Sequence, residues 1–296
     1  MKTRAPLAEC YPISSRAGRR SVCRGGLAAV AIAALVFCFG PAPAQATPIL
    51  VALAGNAAPA GGNYGGVFTP VLNGSGQVAF LAILSGGSSG QGMFAGLPGS
   101  LQAVALLGDA APAGGSYIAF GSPVLNGAGQ VELQASMAGG ATGVFAGAPG
   151  SLQTAALVGS AAPAGGNFNG FLTIPVLNGA GQVAFRATLS GGSSPQGIFV
   201  GVPGSLQAAA FSGDAAPAGG NYASLSNAPM LNDSGQVAFS STLTGGTSIN
   251  GIFVGAPGSI QSAALQGSAA PAGGNYSDLE TLTQPLTGLL KNHVFW

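Results

Sequence analysis

Apolar and polar side chains alternate in several short stretches of this chain. Residues 183–189 place Val, Phe, Ala and Leu at one set of alternate positions and Ala, Arg and Thr at the other. Residues 131–137 repeat this alternation with other side chains. A period of two is typical of a β-strand, because successive strand residues point to opposite faces of a sheet. The pattern therefore predicts short strands.

Both stretches begin inside a segment that occurs four times. It reads Pro-Val-Leu-Asn-Gly-Ser-Gly-Gln-Val-Ala-Phe at residues 70–80 and returns, slightly changed, at residues 123–133, 175–185 and 229–239. Subtracting the positions of its asparagines gives spacings of 53, 52 and 54 residues. The four are Asn73, Asn126, Asn178 and Asn232. A period of this length indicates tandem supersecondary units.

Each repeated segment predicts a hairpin. The Asn side chain can accept a hydrogen bond from the backbone two residues later, and the glycine that closes the turn accepts a positive φ. In the first unit, residues 92–96 and 101–107 then predict a third and a fourth strand. The third strand has a phenylalanine in every unit, at Phe94, Phe145, Phe199 and Phe253.

Each unit closes with Ala-Ala-Pro-Ala-Gly-Gly and an aromatic residue. The aromatic residues are Tyr64, Tyr117, Phe168, Tyr222 and Tyr276. Because proline and glycine disfavour strand pairing, we expect a loop here, with the aromatic ring filling the junction between units.

Four strands in about 53 residues, repeated without helices, predict an all-β, β-propeller-like array of four full units. Residues 49–54 match a fourth strand that lacks the beginning of its unit, and residues 285–295 stand where a fifth unit would begin. Pairing of these two segments would close a ring, and the protein would then be a monomer. An open array, a stack of small β-sandwiches and a fragment of a longer repeat protein are the alternatives.

Residues 1–46 predict an export signal that is removed. Six of the eight basic residues fall in the first 24 positions, and the apolar residues 27–40 precede a small-residue pattern ending at Ala46. This order is typical of a secretory signal peptide. A membrane anchor is the alternative, but the apolar run is shorter than the roughly 20 residues that span a bilayer. The pair Arg19 and Arg20 also allows a twin-arginine signal.

Removal of the signal changes the charge of the chain. Two basic and six acidic residues remain, so the formal charge falls from +1 to 2 − 6, or −4. Such a chain cannot neutralise a row of phosphates, which argues against nucleic acid and anionic lipid as partners. All three cysteines lie in residues 1–46, so we expect neither disulfides nor zinc-thiolate sites in the exported chain.

Few side chains could carry chemistry. His293 is the only histidine, and without a second histidine or a thiol we expect neither a metal site nor a catalytic triad. Asp109 and Asp214 precede equivalent Ala-Ala-Pro loops and could serve glycoside cleavage if they faced each other, although a turn role is the simpler interpretation.

Two further residues could act as binding groups. Asp233 and the Asn-Gly turns offer oxygen ligands, but calcium sites need several carboxylates, so we expect no metal. Arg186 could bind an anion, yet its position is that of an ordinary outward-facing strand residue. We therefore predict no catalytic residue, no cofactor and no identifiable ligand-binding residue.

The repeated motif also carries a resemblance. Asn73-x-x-Gly76-x-x-Ala79-Phe80 and its copies at Asn178 and Asn232 resemble the bacterial tandem proteins named for their NxxGxxAF repeat. Copy two differs, with Glu132-Leu133 in place of Ala-Phe. The resemblance implies a β-rich exported or surface protein with a variable C-terminal anchor and no established catalytic residues. The last residues show no apolar anchor followed by basic residues, so we expect a released or periplasmic protein.

The sequence thus predicts a signal peptide at 1–46, a tandem β-repeat domain at 47–280 and a degenerate partial repeat at 281–296. We expect a non-enzymatic structural or binding module outside the cytoplasm, with an unidentified protein or glycan as partner. The alternatives are a polysaccharide-acting enzyme on a propeller scaffold and a self-associating matrix or adhesion component.

Overall fold

The computed structural model describes residues 48–217, 219–277 and 279. Every regular secondary-structure element in these residues is a β-strand, and the strands are numbered β1 to β19. The all-β repeat prediction is therefore confirmed for this part of the chain. The strands of sheet 1 are β1 (Asn63–Val67), β2 (Val71–Leu72), β3 (Val78–Ser85), β4 (Gln91–Gly96) and β5 (Gln102–Leu106). Those of sheet 2 are β6 (Tyr117–Phe120), β7 (Val124–Leu125), β8 (Val131–Met137), β9 (Thr142–Gly147) and β10 (Gln153–Leu157).

Sheets 3 and 4 repeat the arrangement. The strands of sheet 3 are β11 (Asn167–Phe171), β12 (Val176–Leu177), β13 (Val183–Ser190), β14 (Gln196–Val202) and β15 (Ser205–Phe211). Those of sheet 4 are β16 (Asn221–Leu231), β17 (Val237–Thr244), β18 (Asn250–Gly255) and β19 (Gln261–Leu265). Four antiparallel sheets therefore follow one another along the chain.

Every sheet has the same strand order. In sheet 1, β1 pairs with β3, β3 with β4 and β4 with β5, while the short β2 also pairs with β3. In sheet 4, the single long strand β16 occupies the places of both short strands. Each of sheets 1 to 3 thus contains the four predicted strands and one further strand, β1, β6 or β11, which lies where the sequence predicts a loop.

In four of the five copies the closing aromatic residue lies in a strand and not in a loop, whereas Tyr276 lies outside any strand. Tyr64 lies in β1, pairs with Leu84 and is 3% exposed. Its ring meets that of Phe94 edge-on, with the centroids 5.3 Å apart. The loop prediction was wrong at this residue because Pro59 and the two glycines all precede it, so its own backbone is free to pair. The aromatic ring does pack at the junction, since Tyr117 shares a buried cluster with Met93 of sheet 1.

Residues 49–54 form no strand, contrary to the prediction. A fourth strand is held by hydrogen bonds to a third strand, as β5 is to β4, and residues 49–54 have no such pairing with any described strand. Val51 and Ala52 instead pack against the cluster around Tyr64 and Phe80. The predicted partner of this segment, residues 285–295, lies outside the described residues, as does the predicted signal at 1–46.

The core lies between successive sheets. One face of each sheet carries phenylalanines and the other carries smaller or unbranched apolar residues, and these two kinds of face meet at each junction. At the first junction, Leu133 and Phe145 of sheet 2 are buried with Met93 and Ala95 of sheet 1. The second junction contains Val144, Ala146, Phe185 and Phe199. The third contains Ile198, Val200, Phe239 and Phe253.

Candidate functional site

The Asn-Gly turns connect the short strands β2, β7 and β12, and the end of β16, to the long strand that follows in each sheet. Each turn is closed by hydrogen bonds to the side chain of its own asparagine. Asn126 Oδ1 accepts hydrogen bonds from the backbone N–H groups of Ala128, at 3.0 Å, and Gln130, at 2.9 Å. Asn126 Nδ2 donates to Gln130 Oε1 at 2.8 Å. The closing Gly129 has a φ of 81°, which favours glycine. These contacts confirm the predicted hairpin turn.

The four turns are also hydrogen-bonded to one another in a row, which we call the asparagine ladder. Asn73 Nδ2 donates to the carbonyl oxygen of Asn126 at 2.9 Å, and Asn126 Nδ2 donates to that of Asn178 at 2.8 Å. Asn178 Nδ2 donates to the carbonyl oxygen of Asn232 at 2.9 Å. Each of these three amides thus uses one donor within its turn and one between turns.

Glutamine side chains complete the ladder. A Cβ added to Gly181 would lie 2.8 Å from Oε1 of Gln130, and one added to Gly235 would lie 2.9 Å from Oε1 of Gln182. The closing glycine therefore meets two needs, a positive φ and room for the glutamine of the preceding turn. Sequence reasoning missed this contact between turns. The signal that could have revealed it is the Asn-x-x-Gly-Gln pattern at a nearly constant spacing.

Asp233 joins this row of turns. Its Oδ1 accepts a hydrogen bond from the backbone N–H of Gly179 in the neighbouring turn, at 2.7 Å. The other copies have glycine at this position, at Gly74, Gly127 and Gly179. Across the described residues, no group of three or more His, Cys, Asp or Glu side chains is placed to hold a metal ion. Asp233 thus links two turns by a hydrogen bond.

A groove opens between the turns of sheets 2 and 3. Its volume is about 250 Å³, and its polar lining consists of the side chains of Gln130, Ser151 and Gln153. Leu177 and Pro203 contribute apolar surface. The residues that line this groove include no charged side chain, so it could offer a partner hydrogen bonds but no ion pair.

A second pocket lies at the opposite end of β13. Its volume is about 210 Å³, and Asp214, Ser193 and Phe211 are among its lining residues. Asp109, the equivalent of Asp214 in the first repeat, does not line it. The pocket therefore holds one carboxylate and not the pair that glycoside cleavage requires.

The charge of each of these aspartates affects the pKa of the tyrosine that follows it in the chain. Burial, and secondly the charge of Asp109, raise the pKa of Tyr117 to about 12. Burial and the charge of Asp214 do the same for Tyr222. The backbone N–H of each tyrosine also donates to the carbonyl oxygen of its aspartate, at 3.0 and 2.9 Å. The two aspartates thus occupy loop positions beside the first strand of the next sheet.

Arg186 is not an ordinary outward-facing residue, so that prediction was wrong. Its guanidinium is half-buried and donates to the carbonyl oxygen of Leu225 in sheet 4. Burial lowers the pKa of Arg186. Gln134 occupies the same position in sheet 2 and donates to the carbonyl oxygen of Thr173, at 2.8 Å. The face expected to meet solvent is the face that the next sheet covers.

Two residues remain, Glu132 of the second copy and His293. Glu132 is completely buried between sheets 2 and 3. His293 lies outside the described residues. No described helix is long and apolar enough to cross a membrane.

Comparison with known proteins identifies the family. Two overlapping stretches of the chain, residues 39–142 and 114–255, match DUF7453, described as a family of unknown function. No curated protein matches the chain significantly. The two stretches together span residues 39–255, well over half of the 296 residues, and the overlap is consistent with the tandem repeats. The chain therefore belongs to the DUF7453 family.

Proposed function

We propose that this chain is an exported repeat protein that binds a protein or glycan along its row of turns and catalyses no reaction. The asparagine ladder is the observation that carries the proposal. It holds four equivalent turns in fixed positions through hydrogen bonds of 2.8 to 2.9 Å. A surface ordered in advance loses little conformational entropy on binding.

The chemistry of this surface suits a neutral polar partner. The groove between sheets 2 and 3 presents amides and hydroxyls from Gln130, Gln153 and Ser151. Hydroxyl-rich glycans and exposed peptide backbones both match such groups, whereas phosphates require cations.

The location and the finer architecture are part of the same proposal. A signal peptide at residues 1–46 would deliver the chain to the periplasm or the extracellular space. The repeated antiparallel sheets, packed face to face, have the strand content of propeller blades. Membership of the NxxGxxAF tandem-repeat proteins would agree with both.

An enzyme acting on polysaccharide is less well supported. Glu132 is buried, Asp233 is hydrogen-bonded to Gly179, and Asp214 lines the second pocket without Asp109. Neither the groove nor the second pocket is lined by two of these carboxylates.

Self-association through sheet edges is less well supported for a different reason. The last strand of every sheet carries a register shift against its neighbour, as in β5, where Ala103 pairs with Phe94 and Ala105 with Met93. The first strand of every sheet carries one as well. Such bulges disfavour the addition of a further strand.

The test is a binding screen of the purified chain against immobilised neutral oligosaccharides and extracellular proteins. Gln153→Asp places a charge in the groove, and we expect it to weaken a bound partner by about tenfold or more, since an unpaired charge is costly to desolvate. Gln261→Asp is the matched control, because Gln261 occupies the same repeat position in sheet 4. Equal binding by both variants, or release of reducing sugar ends, would contradict the proposal.

A further inference from the structure

A carboxyl group is buried without a partner between sheets 2 and 3. Glu132 is 0% exposed, and neither of its side-chain oxygens has a hydrogen-bond partner. In the sheet it lies opposite Val124 of β7 and Ala146 of β9. The same repeat position holds Ala79, Ala184 and Ala238 in the other copies. At one of four equivalent positions, a glutamate thus stands where the other copies have alanine.

Nothing in the surrounding strands compensates a charge at this position. Within its own sheet β8 is flanked by β6, β7 and β9, and β12 of sheet 3 packs against it. Tyr117 is the one titratable side chain that they carry, and it clusters with Leu133 on the opposite face of β8. Arg186, in β13, is turned toward Leu225 of sheet 4. Among the charged side chains that the structure describes, none therefore faces Glu132.

We propose that Glu132 makes the junction between sheets 2 and 3 a proton-dependent joint, which is tightest when its carboxyl group is protonated and weakens when that group ionises. An unpaired carboxylate loses its hydration on burial, whereas the neutral acid loses far less. The junctions on either side have alanine at this position, so they lack the dependence. The joint is thus specific to one of the three internal junctions.

The sign of the effect follows from this burial. Burial raises the pKa of Glu132 above its ordinary value. A carboxyl whose pKa is raised in the folded state stabilises that state, relative to neutral pH, below its unfolded pKa of about 4.3. This contribution is lost as the pH rises from there to the raised folded pKa. The junction should therefore be stronger in mild acid than at neutral pH.

The joint adjoins the groove. Ala146, the cross-strand neighbour of Glu132, lines the groove, and so does Gln130, two residues before it. Loosening of the junction would change the shape of the groove, so the acidity of the surroundings would regulate binding there. This last consequence rests on the proposed binding function, whereas the joint itself does not.

The experiment compares thermal unfolding of the full chain with that of Glu132→Ala and Glu132→Gln, between about pH 4 and about pH 8. Other titrating groups are common to all three proteins, so the difference between their melting temperatures isolates Glu132. We expect the original chain to lose several degrees against Glu132→Ala as the pH rises, and both variants to follow the same pH profile as each other. Parallel profiles for all three proteins would overturn the joint.

A local measurement, and the same glutamate placed at the next junction, complete the test. At matched pH, amide hydrogen exchange of β8 and β12 should be faster in the original chain than in Glu132→Ala at the neutral end and should converge at the acidic end. Ala184→Glu should move the same dependence to the junction between sheets 3 and 4. Exchange that differs equally at both ends of the range would overturn the proposal. None of these readouts involves a ligand, so they can succeed or fail independently of the binding screen.

Discussion

Ile198 and Ile252 are isoleucines at equivalent positions of two repeats, yet they have different surroundings. Ile198, in β14, is completely buried because sheet 4 covers it, whereas Ile252, in β18, is half-buried. Their neighbours differ in the same way, since Val200 is 2% exposed and Val254 is 36% exposed. The two strands are otherwise alike. The core of this protein therefore forms where a sheet face is covered, by the next sheet at the three junctions and by the segment containing Val51 and Ala52 on the outer face of sheet 1.

The largest expected effect comes from truncating these two isoleucines. Ile198→Ala should reduce the free energy of unfolding by about 2–5 kcal/mol, because it leaves a cavity at a covered junction. Ile252→Ala should cost about 1 kcal/mol or less, because its side chain already contacts solvent. Urea unfolding followed by circular dichroism measures both. Equal losses would mean that the outer face of sheet 4 is covered as completely as an internal face.

A smaller effect should distinguish internal from terminal turns. Asn126→Ala removes a buried amide that bonds Gln130 and the carbonyl oxygen of Asn178, and it should cost about 1–3 kcal/mol. Asn232→Ala removes the same bonds within a turn, but among the described residues Asn232 Nδ2 makes no bond to a following turn. We expect the loss at Asn232 to be smaller, again by urea unfolding. A larger loss at Asn232 would show that the contacts between turns contribute little.

The smallest effect concerns the tyrosines that begin the sheets. Burial alone raises the pKa of Tyr64 in sheet 1, whereas in sheet 4 the charge of Asp214 adds to burial and the pKa of Tyr222 reaches about 12. Stability from a neutral buried tyrosine is present below pH of about 10 and is lost as the pH rises toward the folded pKa. Asp214→Asn should lower the pKa of Tyr222 by less than about one unit, since salt screens the aspartate. Ultraviolet absorbance titration measures it, and an unchanged or raised pKa would contradict this assignment.

The sequence predicts the strands and the turn because their causes are local. Alternation identified strands such as β8 and β13, and the Asn and Gly residues identified the hairpins. Alternation cannot show which faces are covered, however, because that depends on the next sheet. Arg186 was therefore placed toward solvent, although it bonds Leu225 of sheet 4.

The candidate site was harder to predict for a related reason. The bond from an asparagine to its own turn is encoded within five residues, but the bond to the next turn joins residues 52 to 54 positions apart. The burial of Glu132 is equally non-local, because sheet 3 is needed to cover it. Contacts of this kind follow from the stacking of repeats, so they could be inferred only once that stacking was known.

Native-state amide hydrogen exchange tests most directly whether the junctions hold the fold together. The amides to compare are those of β14, which is covered on both faces, and those of β18, its equivalent in sheet 4. Stabilisation by junctions predicts greater protection in β14 than in β18, with exchange beginning in sheet 4. Equal protection of the two strands, or greater protection of β18, would contradict the claim that the junctions between sheets stabilise the strands they cover.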